Sequence, residues 1–390
     1  MSVTIKAEIK DLMIGKTDNN KILPLESLRG IAAICVALFH FHSGSPLTNN
    51  PFIIHSYLMV DFFFVLSGYV ISLNYQDNIS TFSQLLEFQK RRFWRLYPLH
   101  LFMLFIFLGI EFAKLFVANL TGIVSTPPPF SNNNFTAFIH NIFLTQSFLP
   151  ANTFNYPSWS ISTEFYTYLV FGGILLFGKG RIGFISLIII ALSWLILQRE
   201  PFILNGTHVG LSIFRCFISF FTGVIIFEIS KRSPTIIIRT PAVILTGLLL
   251  IVSVIWFGDT HLEPLVPFIF GLMIFAILKV DPSSASYRFL SHKRLVYLGT
   301  ISYSIYMVHA AVWYAFNQFS RFVLKVPTQA TEEGGVITSL PILEGTFATI
   351  LGLALILFFS HITYRYIENP FRRGLRGAII LSKSPGKLDY

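Results

Sequence analysis

A chain of 390 residues that is 53% hydrophobic and only 12% charged is not an ordinary soluble domain, in which charged residues make up about 25%. Mean hydropathy is +0.65. The net charge of +10 comes without a long basic tract or a nucleic-acid fold signature, so nucleic acid is not an expected partner, and Cys35 and Cys216 both lie in apolar runs, where packing is expected rather than a disulfide.

In chain order, residues 1–26 read as a polar arm. Its start lacks an apolar h-region, so no cleavable signal peptide is expected and the first helix is expected to direct insertion. Ten stretches approach the ~20 apolar residues that cross a bilayer. They are 27–44, 56–75, 96–118, 158–178, 182–198, 209–229, 242–257, 263–279, 297–319 and 345–367. The stretch 135–150 is apolar but short, and is expected to lie at the interface or to re-enter. "TPPP" at 126–129 and "SNNNF" at 131–135 are loop chemistry. A short basic tail, 368–390, closes the chain. The expected fold is therefore all-α: a polytopic membrane protein of about ten transmembrane helices, with one transmembrane domain over 27–367.

Ten crossings put both termini on one side. Under that alternation 24 Lys and Arg fall on the terminal side and three, Arg199, Arg321 and Lys325, on the other, with Lys114 and Arg215 inside spans. The positive-inside rule then makes both termini cytoplasmic.

Ionisable side chains inside a membrane are costly and are candidates for function. The stretch "SLRGIAAICVALFHFH" carries Arg29 and His40 eleven residues apart. On a helix that is roughly 16 Å of rise and a return to within about 20° of the starting direction, so both lie on one stripe. Arg29 falls near the cytoplasmic face and His40 near the outer end. Asp61, Glu164, Arg215 and His309 fall in the outer half of their own helices, Asp61 level with His40. A membrane histidine is as readily a structural hydrogen-bond partner, and Asp61 could simply neutralise Arg215. The coincidence of level favours a site. On the inner face, "KRRFWRLYP" places Arg91, Arg92 and Arg95 together. They can serve as positive-inside anchors, or their planar forks can hold a phosphate-bearing ligand.

Seven segments in order resemble the acyltransferase-3 family of integral-membrane O-acyltransferases, which modify bacterial surface sugars and related molecules. Arg29 and His40 match its Arg-x10-His motif. "VDFFFVLSGYVIS" matches its second-helix motif at Asp61, Ser67 and Gly68, and "RRFWRLYP" its Arg-rich stretch. "WSISTEFYTY" resembles its Trp-Ser-x-Ser-x-Glu segment with Ser160, Ser162 and Glu164. "RCFISFFTG" matches at Arg215, "SYSIYMVH" at Tyr303 and His309, and "YIENPFR" carries the closing Glu-x-Pro at Glu368. Thr163 stands where members commonly carry valine. Some members add a further helix and a periplasmic hydrolase-like domain. This sequence ends at Tyr390 with neither, so a separate periplasmic or glycan-assembly protein is expected for any second acyl-transfer step.

The resemblance implies transfer of an acyl group, acetyl first and succinyl or longer next, in the bacterial inner membrane. The donor would be cytosolic acyl-coenzyme A and the acceptor a hydroxyl of a surface carbohydrate at the outer face. Arg91, Arg92 and Arg95 would hold the nucleotide with Arg29 at the entrance, and the pantetheine arm would run up the Arg29–His40 stripe. His40 is the expected general base, its pKa near 6.5 suiting proton transfer at operating pH, with Asp61 beside it to fix the tautomer. An acyl-imidazole on His40 is the alternative route. Glu164 could share the base role. Ser160, Ser162, Tyr303 and Arg215 are candidates for holding the oxyanion or the sugar. No metal site and no permanently bound cofactor are expected. Composition alone would equally suit an exporter of organic acids or glycan units, though no inverted repeat is visible.

Overall fold

The computed structural model describes residues 22–41, 43–148, 153–178, 180–199, 210–330, 336–338 and 340–372. Most of the expected arm 1–26 and tail 368–390, and the end of 135–150, lie outside the described residues. The helices are α1 (Leu23–Phe39), α2 (Pro51–Ile54), α3 (Met59–Tyr75), α4 (Phe82–Thr121), α5 (Phe135–Ile142), α6 (Trp159–Phe177) and α7 (Ile182–Leu197). They continue with α8 (Ser212–Arg232), α9 (Thr240–Phe257), α10 (Val266–Lys279), α11 (Ala285–Leu290), α12 (Lys293–Thr300), α13 (Ser302–Phe322) and α14 (Ile342–Thr363). A small antiparallel pair, β1 (Thr328–Ala330) and β2 (Val336–Thr338), joins α13 to α14. Strands of three residues are too short to leave a period in the sequence.

Six helices are long and apolar enough to cross a membrane: Ser56–Tyr75, Phe82–Thr121, Tyr156–Phe177, Ser212–Arg232, Thr240–Phe257 and Ile342–Arg372. The pair α12 and α13, bent by 66°, makes a seventh when taken together. The other expected spans, 27–44, 182–198 and 263–279, coincide with α1, α7 and α10, which have 17, 16 and 14 residues. At 1.5 Å per residue these reach roughly 26, 24 and 21 Å, less than the ~30 Å hydrocarbon core. All ten expected segments are helical, and length and apolarity make six or seven of them membrane-crossing. The eight-residue α5 falls within the stretch left out of that count.

Helix α4 begins earlier than the expected span at 96. Thr81 and Gln84 form a capping box at its start, and Gly122 ends it in the left-handed region at φ 72°. Its 40 residues make a rod of roughly 60 Å. About half must lie beyond the hydrocarbon, and the first turns carry Arg91, Arg92 and Arg95.

Helix α3 is the centre of the bundle, with 78% of its apolar stretch buried against 17% for α9, which faces outward. Helices packed in lipid gain little from burying more apolar surface, so close backbone approach decides which faces meet. At the α3–α8 crossing, a Cβ on Gly68 would lie 1.9 Å from the Phe220 carbonyl oxygen, and one on Gly223 1.9 Å from that of Val65. At the end of α14 a π turn over Tyr364–Glu368 leaves Glu368 3% exposed.

Candidate active site

His40 caps the C-terminal end of α1. Its Nδ1 lies 2.9 Å from the Val36 carbonyl oxygen and 3.2 Å from Nε2 of His309 on α13. The rings stack at 5.0 Å and 29°. His309 is fully buried, and its Nδ1 is 3.3 Å from the Ile305 carbonyl oxygen. The carbonyls decide the tautomers. His309 Nδ1–H donates to Ile305, so its Nε2 accepts, and His40 Nδ1–H is shared between Val36 and His309. That tautomer puts the His40 lone pair on Nε2, the form a general base requires. One turn beyond, Trp313 Nε1 donates to the Ala37 carbonyl at 2.7 Å and stacks on Phe41 at 4.0 Å, tying α13 to the end of α1. Tyr156 packs on both imidazoles, 4.6 Å from His40 and 5.8 Å from His309 between ring centres.

The expected contact between His40 and Asp61 is not made. Both oxygens of the fully buried Asp61 are committed elsewhere. Arg215 Nε lies 3.1 Å from each oxygen, Arg215 Nη2 lies 2.7 Å from Oδ2, and Ser219 Oγ donates to Oδ1 at 2.8 Å. Arg215 Nη2 also donates to the Tyr57 carbonyl at 2.9 Å, and its guanidinium lies 5.1 Å from the Trp159 ring centre. The direction around α3 sends Asp61 toward α8. The neighbour of His40 is a second imidazole.

A cavity of about 400 Å³ opens between α1, α3, α4, α6 and α13. Five arginines line it, Arg29, Arg91, Arg92, Arg95 and Arg372, against two carboxylates, Glu26 and Glu164. Arg29 is 3.3 Å from Glu26, Arg91 pairs with Glu87, and Arg372 donates to Glu368 at 3.0 Å. Glu368 also accepts from Ser304 at 3.0 Å. Arg92 donates to the Tyr75 hydroxyl at 3.0 Å and leaves its buried Nε without a partner. Arg95 makes no side-chain hydrogen bond or ion pair among the described residues. Such a surplus of guanidinium groups suits an anion with several oxygens.

From these arginines the cavity follows one face of α6. Ser160, Glu164 and Tyr168, spaced four apart, all line it, and the Arg92 guanidinium lies 6.0 Å from the Tyr168 ring centre. At the other end the Ser160 hydroxyl meets that of Tyr306 at 2.8 Å, and the Tyr306 ring lies 5.9 Å from His309. The cavity thus runs from the arginine cluster to Tyr306, and the histidine pair packs beyond that ring. Arg29 lines the cavity, and His40, eleven residues on, belongs to the histidine pair.

Of the residues singled out in the sequence, Arg29, Arg91, Arg92, Arg95, Ser67, Ser160, Glu164 and Tyr303 line this cavity, and Glu368 supports it through Arg372. His40 and His309 meet beyond Tyr306. Ser162 lies elsewhere, fully buried and donating to the Leu144 carbonyl at 2.5 Å, and Arg215 belongs with Asp61. Tyr168, Tyr306, Tyr156 and Arg372 had not been singled out. Tyr168 was visible as the third member of the four-residue spacing begun by Ser160 and Glu164. Arg372 had been counted only as a topology charge.

The acyltransferase-3 family model, described as an acyltransferase domain, matches residues 23–361. Acyltransferase MdmB of Streptomyces mycarofaciens is 35% identical over 118 residues, 29% of this chain and 27% of its own. Peptidoglycan O-acetyltransferase OatA of Listeria monocytogenes is 25% identical over 91% of this chain and 56% of its own. O-acetyltransferase OatA of Staphylococcus aureus strain NCTC 8325 is 25% identical over 93% of this chain and 59% of its own. The chain therefore spans little more than half the length of the OatA relatives. No solved structure matches it. The match covers the α1 stripe, the histidine pair and all of the cavity lining but Arg372, and the chain belongs to the acyltransferase-3 family.

Proposed function

We propose that this protein is a membrane O-acyltransferase. It moves an acyl group, acetyl in the first instance, from cytosolic acyl-coenzyme A to a hydroxyl of a surface polysaccharide or glycoside at the outer face of the bacterial inner membrane. The observation that supports this reading is the five-arginine cavity that runs along the Ser160–Glu164–Tyr168 face to Tyr306, with the His40–His309 pair packed beyond that ring. Coenzyme A has matching parts, with phosphates at one end, a slender arm, and the thioester at the tip. The phosphates belong with Arg91, Arg92, Arg95 and Arg372, and the thioester with Ser160 and Tyr306 below the imidazoles.

In the reaction, His40 Nε2 takes the proton of the acceptor hydroxyl as its oxygen attacks the thioester carbonyl. A carbon–oxygen bond forms, the carbon–sulfur bond breaks, and the imidazolium returns the proton to the departing thiolate. The hydroxyls of Ser160 and Tyr306, which lie 3.1 and 2.9 Å from the Pro157 carbonyl oxygen, would turn from it to serve a developing oxyanion. A two-step route, with the acyl group carried on Nε2, uses the same geometry. The name of the Listeria relative favours peptidoglycan among the candidate acceptors, which also include lipopolysaccharide O-antigen and exopolysaccharide. Family membership favours acyl transfer over the exporter reading.

The test uses membranes supplied with radiolabelled acetyl-coenzyme A. Label should appear on polysaccharide, and His40→Ala should lower its rate by about 10²–10⁴-fold at unchanged protein level. Transfer at near the wild-type rate in that variant removes His40 from the chemistry. Label that crosses the membrane as solute without reaching glycan supports transport instead.

A further inference from the structure

The arginine cavity contains one group that phosphate binding does not explain. Glu164 places a carboxylate partway along it, where it would repel an anion that occupied the whole space. The carboxylate is nevertheless held in place. Tyr168 donates its hydroxyl proton to Glu164 Oε1 at 2.5 Å, and Tyr168 and Ser67 lie 2.8 Å apart between hydroxyl oxygens. Tyr168 has one proton to give and gives it to Glu164, so Ser67 is the donor to Tyr168. This directed chain crosses from α3 to α6 and ends on a group that only accepts. Glu164 Oε2 takes no hydrogen bond among the described residues, and Glu164 lines the cavity.

A ligand that satisfies this arrangement has anionic groups at its Arg92 end and N–H or O–H donors about one helical turn, ~6 Å, further along. Its remaining surface is apolar, to match Val60, Phe63 and Ile161. The pantetheine arm of coenzyme A has that pattern, with two secondary amides and a hydroxyl set among methylene and methyl carbons. A small acyl phosphate has none of those donors. We infer that Glu164, oriented by Tyr168 and Ser67, is the acceptor that reads the pantetheine arm, so the site selects pantetheine thioesters over other activated acyl donors. The inference rests on the coenzyme A reading above and adds the basis of donor selection.

The experiment is competition against tritiated coenzyme A bound to the full chain in detergent, with two competitors that divide the ligand. Pantetheine has the arm without the phosphates, and adenosine 3′,5′-bisphosphate has phosphates without the arm. In Glu164→Gln, pantetheine should compete about tenfold less well, as expected on losing a charged acceptor, while the bisphosphate competes as in wild type. Arg95→Gln should do the reverse. Tyr168→Phe keeps the carboxylate and removes only its orienting hydroxyl; it should shift pantetheine in the same direction by less, and it decides the matter if Glu164→Gln does not accumulate. Unchanged pantetheine competition in whichever variant is read, or equal loss of both competitors, overturns the inference and leaves the donor assignment standing. No binding of coenzyme A to the wild-type chain removes both.

Discussion

Arg95, half-buried, and Asp61, fully buried, show how differently two charges inside the bundle can act. Among the described residues Arg95 has no hydrogen-bonding partner, whereas Arg91 is already paired with Glu87 and Arg92 already donates to Tyr75. A phosphate therefore gains most from Arg95. Replacing it with glutamine should raise the dissociation constant for coenzyme A by about 10–100-fold, given ~1.5–3 kcal/mol per hydrogen bond to a charged group, and Arg91→Gln should cost less. Equilibrium binding to the detergent-solubilised chain measures both. Asp61 pairs with Arg215 and accepts from Ser219 in the core. Asp61→Asn removes the charge that balances that guanidinium and should destabilise the fold by about 3–5 kcal/mol, read as a lower Tm in detergent, with partial recovery when Arg215→Met is added. The sequence marked both residues as important but could not separate their roles. Residue spacing gives depth along a helix, whereas the partner depends on rotation about the axis, and that is set by how α3 meets α8.

That crossing belongs to the scale of elements. Helix positions were legible because apolar runs are long and loops are polar, and all ten expected segments are helical. The axis change at Ile301 was not legible, because hydropathy carries no direction. The start of α4 was placed late because its first turns are charged, although the cap at Thr81 and Gln84 was there to be read. Close approach can be recognised only once both partners are known. Gly68 stood out by resemblance, but its reason is the Phe220 carbonyl 1.9 Å from any added Cβ. Gly68→Ala must push α3 from α8 and should cost about 1–3 kcal/mol, seen as a lower Tm. Ser67 would move with it and loosen its bond to Tyr168, so coenzyme A affinity should fall as well. Gly183→Ala, whose nearest neighbour is the Glu228 Cγ at 3.8 Å, serves as the control and should leave both readings unchanged.

At the scale of the whole molecule, the proposed chemistry requires the arginine end to face the cytosol and the histidine end to face outward. The Lys and Arg distribution argues for that orientation, and two short helices, α7 and α10, test it. If α7 and α10 both cross, the α9–α10 turn lies on the same side as the 122–134 loop and the α10–α11 turn lies opposite. If α7 stops short, the α9–α10 turn changes sides. Single cysteines separate these cases, since native Cys35 and Cys216 are buried and should label poorly. Ser131, His261 and Ser283 are all exposed. Ser131→Cys and His261→Cys should react with a membrane-impermeant maleimide in intact cells, and Ser283→Cys and Lys16→Cys only after permeabilisation. Labelling of His261→Cys only after permeabilisation would take α7 out of the membrane, and labelling of Ser283→Cys in intact cells would do the same for α10. Reversal of all four would turn the arginine cavity toward the outside, where no coenzyme A is available, and the proposed direction of transfer could not stand.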